Sequence, residues 1–224
     1  MFRIANTIGE PIWNSNYIDY VGILAAEELG VENRAGYYEQ AGVLRDMFQN
    51  HMIQLLALTA MEPPSFFDAD RVRFEKGKVG RSLKPLARET LFDNLVVGQY
   101  KAGEIDGEPV VGYRDEPGVD PHSITPTFAM MRFFVDNWRW QGVPFILWTG
   151  KRLPKRVSEI VIRFRKLPFN LFDKHANAPI TNSLVFRLHP DEGIFLRMNA
   201  KMPGLTTDTQ RMVMRAPSSE NAED

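Results

Sequence analysis

The sequence contains no cysteine, which excludes disulfide bonds, thiolate catalysis and metal sites built from thiolates. It also has almost no net charge, because 28 Asp and Glu residues are balanced by 27 Lys and Arg residues. Strong binding to a nucleic-acid backbone uses a wide positive surface, which a neutral chain with one basic run at residues 151–166 does not predict. We therefore expect no nucleic-acid partner.

Long apolar runs are missing as well. No stretch approaches the roughly 18 apolar residues of a membrane span, and the first residues lack the basic segment and apolar core of a signal peptide. We expect a cytoplasmic protein with no membrane partner. The sequence also has no GxGxxG motif between a strand and a helix, so we predict no cofactor-binding residue, and we predict no metal site.

What the sequence does have is enough apolar material, 44% of 224 residues, for one substantial core. Its most informative stretch runs from residue 34 to residue 62, where apolar residues recur at helical spacing up to the pair Pro63 and Pro64. This spacing predicts one long helix. A polar cluster interrupts its apolar pattern in mid-helix, and its members are Asp46, Gln49, Asn50 and His51.

Asp46 and His51 should meet polar groups from elsewhere in the fold, because a buried or half-buried polar side chain needs hydrogen-bond partners. At about 100° per residue the two lie roughly 140° apart around a helix, so they are not expected to form a dyad with each other. From spacing alone, His51 is more typical of a hydrogen-bonded core histidine than of a catalytic one.

Six segments are typical of β-strands because they are rich in β-branched and aromatic residues: residues 17–26, 127–137, 142–149, 156–164, 183–189 and 193–199. The loop after the third of them concentrates four cations, Lys151, Arg152, Lys155 and Arg156. Such a cluster suits a phosphate dianion, but it is also a common way to protect a sheet edge from pairing. A charged helix capped by Asp68 or Asp70 is predicted within residues 68–86.

The stretch from residue 14 to 64, with its QNH triplet, resembles a segment of the glucose-6-phosphate dehydrogenases. The resemblance continues in family order through residues 96–131, through GVPFILWTGKRL and through LVFRLHPDEGIFLRMNAKMPG. It covers only the second part of a family member. It implies an α+β fold over residues 1–204, with a large mostly antiparallel sheet and helices on one face. Residues 205–224 are expected to be a divergent, disordered tail.

The resemblance assigns roles to six residues. His51, the histidine of the QNH triplet, matches the family's general base, and an imidazole can accept a proton near neutral pH. The other five match positions that bind or lie near substrate: Glu27, Asp46, Lys151, Arg156 and His189. Carboxylates can accept hydrogen bonds from sugar hydroxyls. His189 stands where the family has a glutamine. On its sequence context alone, Glu27 is typical of an ordinary solvated turn.

The activity implied by the resemblance is the oxidation of glucose 6-phosphate to 6-phosphogluconolactone with NADP, in the pentose phosphate pathway. The family's NADP-binding domain and its RIDHYLGKE segment have no counterpart in this sequence. We therefore expect the chain alone to be inactive or nearly so; it would act with a separate N-terminal coenzyme-binding half, or be a gene fragment. The alternative is a non-catalytic sugar-phosphate-binding or dimerisation module. In both cases a homodimer is expected.

A second, structural dinucleotide site is known in vertebrate-type family members, on the strands that form the sheet. The matching positions here are Trp148, Val157 and Val161, with only the basic residue Arg187 retained. Apolar side chains cannot bind the phosphates of a dinucleotide. The sequence therefore predicts no structural NADP site.

Overall fold

The computed structural model describes residues 2–168, 181–205 and 208–217. The strands of this part of the chain are β1 (Ile18–Ala26), β2 (Leu95–Gly98), β3 (Gly103–Ile105), β4 (Glu108–Val110), β5 (Phe128–Phe134), β6 (Pro144–Gly150), β7 (Val157–Phe164), β8 (Ser183–His189), β9 (Gly193–Lys201) and β10 (Thr209–Pro217). Eight of them form one sheet in the order β10-β9-β8-β7-β1-β6-β5-β2, and β3 pairs with β4 in a separate hairpin. Within the large sheet only β1 and β6 run parallel.

The helices of the same part of the chain are α1 (Phe2–Ala5), α2 (Ala35–Val43), a π-helix (Leu44–Met52), α3 (Ile53–Ala60), α4 (Ala69–Arg81) and α5 (Leu91–Asn94). In the described ranges, 3₁₀ turns cover Glu10–Ile12, Glu32–Arg34, Arg88–Thr90 and Tyr113–Asp115. The charged helix begins as expected, because the Asp68 carboxylate accepts a hydrogen bond from the backbone N–H of Arg71 at 2.9 Å.

Helical side chains cover one face of the sheet. In β6 the side chains alternate, with Phe145 and Leu147 buried and Trp148 exposed. The buried set joins one apolar core with residues of the helical segment, including Phe48 and Met52. The expected α+β fold, a large mostly antiparallel sheet with helices against one face, is therefore confirmed.

The long helix expected between residues 34 and 62 is interrupted. Gly42 has φ 59° and ψ 177°, a backbone conformation that is essentially restricted to glycine. The next residue, Val43, donates its N–H to the carbonyl oxygen of Pro126 at 3.2 Å, in the segment before β5. The chain then continues as the π-helix Leu44–Met52 before α3 begins. A contact distant in sequence thus overrides the helical pattern at this point.

Replacing Gly42 with alanine is expected to lower the free energy of unfolding by about 1–3 kcal/mol, because an added Cβ strains this backbone conformation. Gly36 is the matched control: it lies in the same α2 helix and is exposed, and a Cβ added there would have no neighbouring atom within 4 Å. Gly36→Ala should be neutral or stabilising by up to about 1 kcal/mol. Urea unfolding of both variants checks this, and equal effects would contradict the strain at Gly42.

The expected disorder of residues 205–224 is wrong for residues 209–217, which form β10. This strand pairs along its whole length with β9, from Thr209 opposite Lys201 to Pro217 opposite Gly193. The apolar residues Met212, Val213 and Met214 between two arginines are a short strand-forming run that the polar, acidic end of the sequence obscured. Residues 206–207 and 218–224 lie outside the described residues.

Candidate functional site

Glu27 and Lys151 lie side by side because each directly follows one of the two parallel strands. Ala26 at the end of β1 is opposite Gly150 at the end of β6. The Glu27 backbone N–H donates to the Gly150 carbonyl at 3.0 Å, which fixes this register one residue further. The Lys151 ammonium donates to Glu27 Oε2 at 2.5 Å and is almost fully buried, whereas Glu27 is half-buried. Adjacent carboxyl ends of parallel strands are a common place for ligand binding.

The ring of Tyr38, in α2, packs against the Lys151 ammonium of this ion pair. The Lys151 Nζ lies 5.4 Å from the centre of the Tyr38 ring, a cation–π distance. Burial raises the pKa of the Tyr38 phenol, and the nearby carboxylates of Asp46 and Glu27 raise it further, so the phenol stays neutral. Tyr38 therefore connects the helical segment to the ends of β1 and β6.

Asp46 lies in the first turn of the π-helix and faces two local partners. Its Oδ1 accepts from Arg34 Nη2 and from the Tyr37 hydroxyl, each at 3.4 Å. These are long, weak hydrogen bonds. Both partners are close to Asp46 in the sequence, so the expected polar partners from elsewhere in the fold are not found for it among the described residues. Because both hydrogen bonds are weak, the Asp46 carboxylate can exchange these partners for a ligand.

His51 is exposed, near the end of the π-helix, so the interpretation as a buried core histidine is wrong. Its imidazole makes no hydrogen bond or ion pair with any residue that the structure describes. The predicted 140° separation from Asp46 also fails. A π-helix bonds residues five apart through their backbones, so Asp46 and His51 are about one turn apart along it, and their side chains make no hydrogen bond with each other.

Arg156 and His189 lie further along the same edge of the sheet. Arg156 precedes β7, its guanidinium is exposed, and its backbone N–H donates to Glu28 Oε1 at 2.9 Å. His189 ends β8, is half-buried and pairs with Ser158, two residues after Arg156. Because β7 and β8 are antiparallel, this end of both strands is the edge at which Glu27 and Lys151 lie.

The ion pair and hydrogen bonds that hold the loop after β6 in place were not predicted from the sequence. Arg152, which has φ 55°, pairs through its guanidinium with buried Glu116 at 3.0 Å. The Tyr100 hydroxyl donates to the same Glu116 oxygen at 2.8 Å. Gly30 is required beside them, because a Cβ there would lie 2.5 Å from Glu116 Oε1. Neither Glu116 nor Tyr38 carries a sequence signal, since each depends on contacts distant along the chain.

The described residues do not fit a bound dinucleotide or a metal ion. After β1 the chain passes through Glu27 and Gly30 into a 3₁₀ turn, with no glycine-rich loop opening a helix. No group of three or more His, Asp or Glu side chains in residues 2–168, 181–205 and 208–217 has the geometry of a metal site. Over the same ranges, no helix has the length and apolar content needed to span a membrane.

A shallow pocket of about 180 Å³ lies elsewhere, on the face of the sheet that the helices leave open. Its lining includes Met130, Arg132 and Ile146, which point outward from β5 and β6. It contains none of the residues that the sequence resemblance selects. The candidate site is therefore the sheet edge with Tyr38 and the π-helix, where Glu27 and Lys151 are in direct contact.

Comparison with known proteins identifies the family of this chain. The family model described as glucose-6-phosphate dehydrogenase, C-terminal domain, matches residues 1–224. A glucose-6-phosphate 1-dehydrogenase of Aggregatibacter actinomycetemcomitans is 50% identical over 214 residues, which are 96% of this chain and 43% of that protein. The corresponding enzyme of Bacillus subtilis is 46% identical over 223 residues, 100% of this chain and 46% of that protein.

Solved structures give the same result. A glucose-6-phosphate dehydrogenase in complex with its substrate glucose 6-phosphate is 36% identical, has a TM-score of 0.85 and is matched over 96% of this chain and 43% of its own. The Mycobacterium avium enzyme is 33% identical with a TM-score of 0.83, over 97% of this chain and 44% of its own. The chain thus spans less than half the length of these relatives. It belongs to the glucose-6-phosphate dehydrogenase family and corresponds to the C-terminal domain of its members.

Proposed function

We propose that this chain is the substrate-binding part of a glucose-6-phosphate dehydrogenase. The observation that carries the proposal is the buried ammonium of Lys151 at the ends of the parallel strands, held by Glu27 above Tyr38. A buried cation with one carboxylate partner is suited to receive a phosphate dianion. One of the solved relatives contains glucose 6-phosphate, which supports this substrate.

The phosphate is bound by Lys151 and Arg156 in this proposal. The exposed Arg156 guanidinium makes no hydrogen bond with the described residues and is free to form a planar two-point contact with phosphate oxygens. Lys151 is paired with Glu27 at 2.5 Å and must exchange that partner for the phosphate. The exchange releases the Glu27 carboxylate to accept hydrogen bonds from sugar hydroxyls.

The sugar ring is bound by Glu27 and Asp46, with His189 beside them at the edge. Asp46 has only two weak hydrogen bonds to give up, each 3.4 Å long. His51, exposed and without a partner in the part of the chain that the structure describes, takes the proton of the C1 hydroxyl as general base. In this proposal His51 and Asp46 reach the same ligand, which is supported by their spacing of about one turn on the π-helix.

The hydride acceptor in this proposal is NADP, which carries the redox chemistry when it is bound. Because no glycine-rich loop opens a helix after β1, we assign the coenzyme to a coenzyme-binding half that acts together with this chain. Under these conditions glucose 6-phosphate is converted to 6-phosphogluconolactone. The chain alone is expected to bind the sugar phosphate without turnover.

Calorimetric titration of the full chain with glucose 6-phosphate tests the substrate-binding proposal. The expected result is saturable binding of one ligand per chain, tighter than the binding of glucose or inorganic phosphate alone. Glucose lacks the group that Lys151 and Arg156 bind, and phosphate lacks the hydroxyls that Glu27 and Asp46 bind. Absence of saturable binding, or equal affinity for all three compounds, would contradict it.

A second candidate function, dimerisation, is supported by the open face of the sheet. Met130 of β5, Trp148 of β6 and Val213 of β10 point outward from this face, and 38%, 38% and 49% of their surfaces are exposed. Apolar side chains spread over one sheet face are typical of a protein interface. We propose that two copies of the chain pair through this face, whether or not the chain also takes part in catalysis.

Replacing Trp148 with glutamate is expected to shift this homodimer to monomers, because the carboxylate would be buried without a partner. Trp138 provides the matched control, since it is fully exposed in the turn between β5 and β6 and not on the sheet face. Sedimentation equilibrium of Trp148→Glu and Trp138→Glu distinguishes the two. Dimers that persist in Trp148→Glu would contradict an interface on this face.

A further inference from the structure

Tyr38 is the one tyrosine of the described residues whose hydroxyl is buried without a hydrogen bond. The side chain is 1% exposed, and its pKa is raised, so the phenol is a neutral donor without an acceptor. Leaving a buried donor unpaired destabilises a protein, and native proteins seldom retain one. An acceptor that is not part of the described residues, such as a ligand, would satisfy this hydroxyl.

The surroundings of the hydroxyl point to a ligand. The carboxylates of Asp46 and Glu27 lie close enough to raise the Tyr38 pKa, yet neither accepts its proton. The Lys151 ammonium lies 5.4 Å from the centre of the same ring. Tyr38 thus lies among three residues of the proposed sugar-phosphate site, although nothing in its sequence context marks it as part of that site.

We propose that the Tyr38 hydroxyl donates a hydrogen bond to a sugar oxygen of the bound substrate, which makes Tyr38 a further positioning residue. A sugar hydroxyl is both donor and acceptor. It can give its proton to Glu27 or Asp46 while it accepts the proton of Tyr38. The inference rests on the proposed function, and it requires the ligand to separate Lys151 from Glu27, which closes the space above the ring in the absence of ligand.

The test is Tyr38→Phe in the full chain, with thermal unfolding and calorimetric titration of glucose 6-phosphate. Removing an unpaired hydroxyl should leave the melting temperature of the unliganded chain unchanged or higher. Removing a donor to the ligand should weaken glucose 6-phosphate binding by about five- to tenfold. A residue with a purely structural role would not combine undiminished stability with weaker binding.

Tyr113 provides the matched control. It is also fully buried, but its hydroxyl donates to Glu39 at 2.5 Å, and its ring contacts that of Tyr38 edge-on at 6.2 Å. Tyr113→Phe should lower the melting temperature and leave the affinity for glucose 6-phosphate unchanged. The unaltered chain and Tyr38→Phe should bind inorganic phosphate with equal affinity, because the proposed Tyr38 contact is to the sugar.

The outcomes separate the inference from the proposed function. If the unaltered chain binds no glucose 6-phosphate, the proposed function fails and the role of Tyr38 fails with it. If the unaltered chain binds and Tyr38→Phe binds equally well, only the role of Tyr38 is overturned. If Tyr38→Phe loses phosphate affinity to the same extent as glucose 6-phosphate affinity, the ring acts through Lys151 and the sugar contact is overturned.

Discussion

Replacing His51 with alanine is expected to lower the turnover of a complemented enzyme by about a hundred- to ten-thousandfold, which is the usual contribution of a general base. His51 is exposed and bonds to none of the residues that the structure describes, so the alanine removes no packing and leaves no group unpaired. The stability of the chain and its affinity for glucose 6-phosphate should therefore change little. This separation is what distinguishes loss of chemistry from loss of fold.

The measurement needs a coenzyme-binding half. A suitable enzyme is a fusion of this chain with the part of the Bacillus subtilis relative that lies outside the matched region, since the two match over 223 residues at 46% identity. NADP reduction by this fusion is compared with that of its His51→Ala variant. His122 is the matched control, because it is exposed on the loop before β5 and uses only its backbone N–H, toward Asp120.

Full activity of the His51→Ala fusion would contradict the general-base role. Equal loss of activity in His122→Ala would show that the effect is not specific to the π-helix. A fusion that binds glucose 6-phosphate but never reduces NADP would instead favour the non-catalytic module, in which the sugar-phosphate site persists without its chemistry.

Replacing Lys151 with methionine is expected to weaken glucose 6-phosphate binding by about ten- to a hundredfold, the equivalent of a hydrogen bond between charged groups. Methionine preserves much of the buried stem but removes the ammonium that the proposal assigns to the phosphate. Glu27 loses its partner at 2.5 Å, but it is half-buried and can be hydrated, which limits the effect on stability.

Lys155 gives the control for Lys151. It lies four residues further in the same basic loop, is exposed, and has no role under the family resemblance. Lys155→Met should bind glucose 6-phosphate as the unaltered chain does, and a comparable loss in both variants would indicate that the loop attracts the phosphate only through its general charge. Calorimetry at two salt concentrations strengthens the comparison, because exposed charges are screened more strongly than buried ones.

The strands were the part of the fold most accessible from the sequence. Alternation of β-branched and aromatic residues located β1 and β5 to β9 within a few residues of their observed bounds. The position of β1 between β6 and β7 in the sheet, which brings Glu27 beside Lys151, follows from pairings between distant segments. Only the family resemblance linked those two residues beforehand.

The geometry of the helical half of the site could not be predicted from the sequence. Apolar spacing from residue 34 to 62 is that of one helix, but Gly42 and the carbonyl of Pro126 divide it, and the π-helix after it changes the direction of His51 relative to Asp46. In that pattern Tyr38 is typical of a core aromatic residue. Its unpaired hydroxyl depends on three-dimensional packing, so it has no signature along the chain.

The most direct test of the proposed site is to follow the backbone amide resonances of the full chain while glucose 6-phosphate is added. We expect the resonances of Glu27, Tyr38, His51 and Lys151 to shift together and saturate at one ligand per chain, while the resonance of Met130 on the open sheet face does not shift. Shifts confined to the open face, or no shifts at all, would contradict a substrate site at this edge of the sheet.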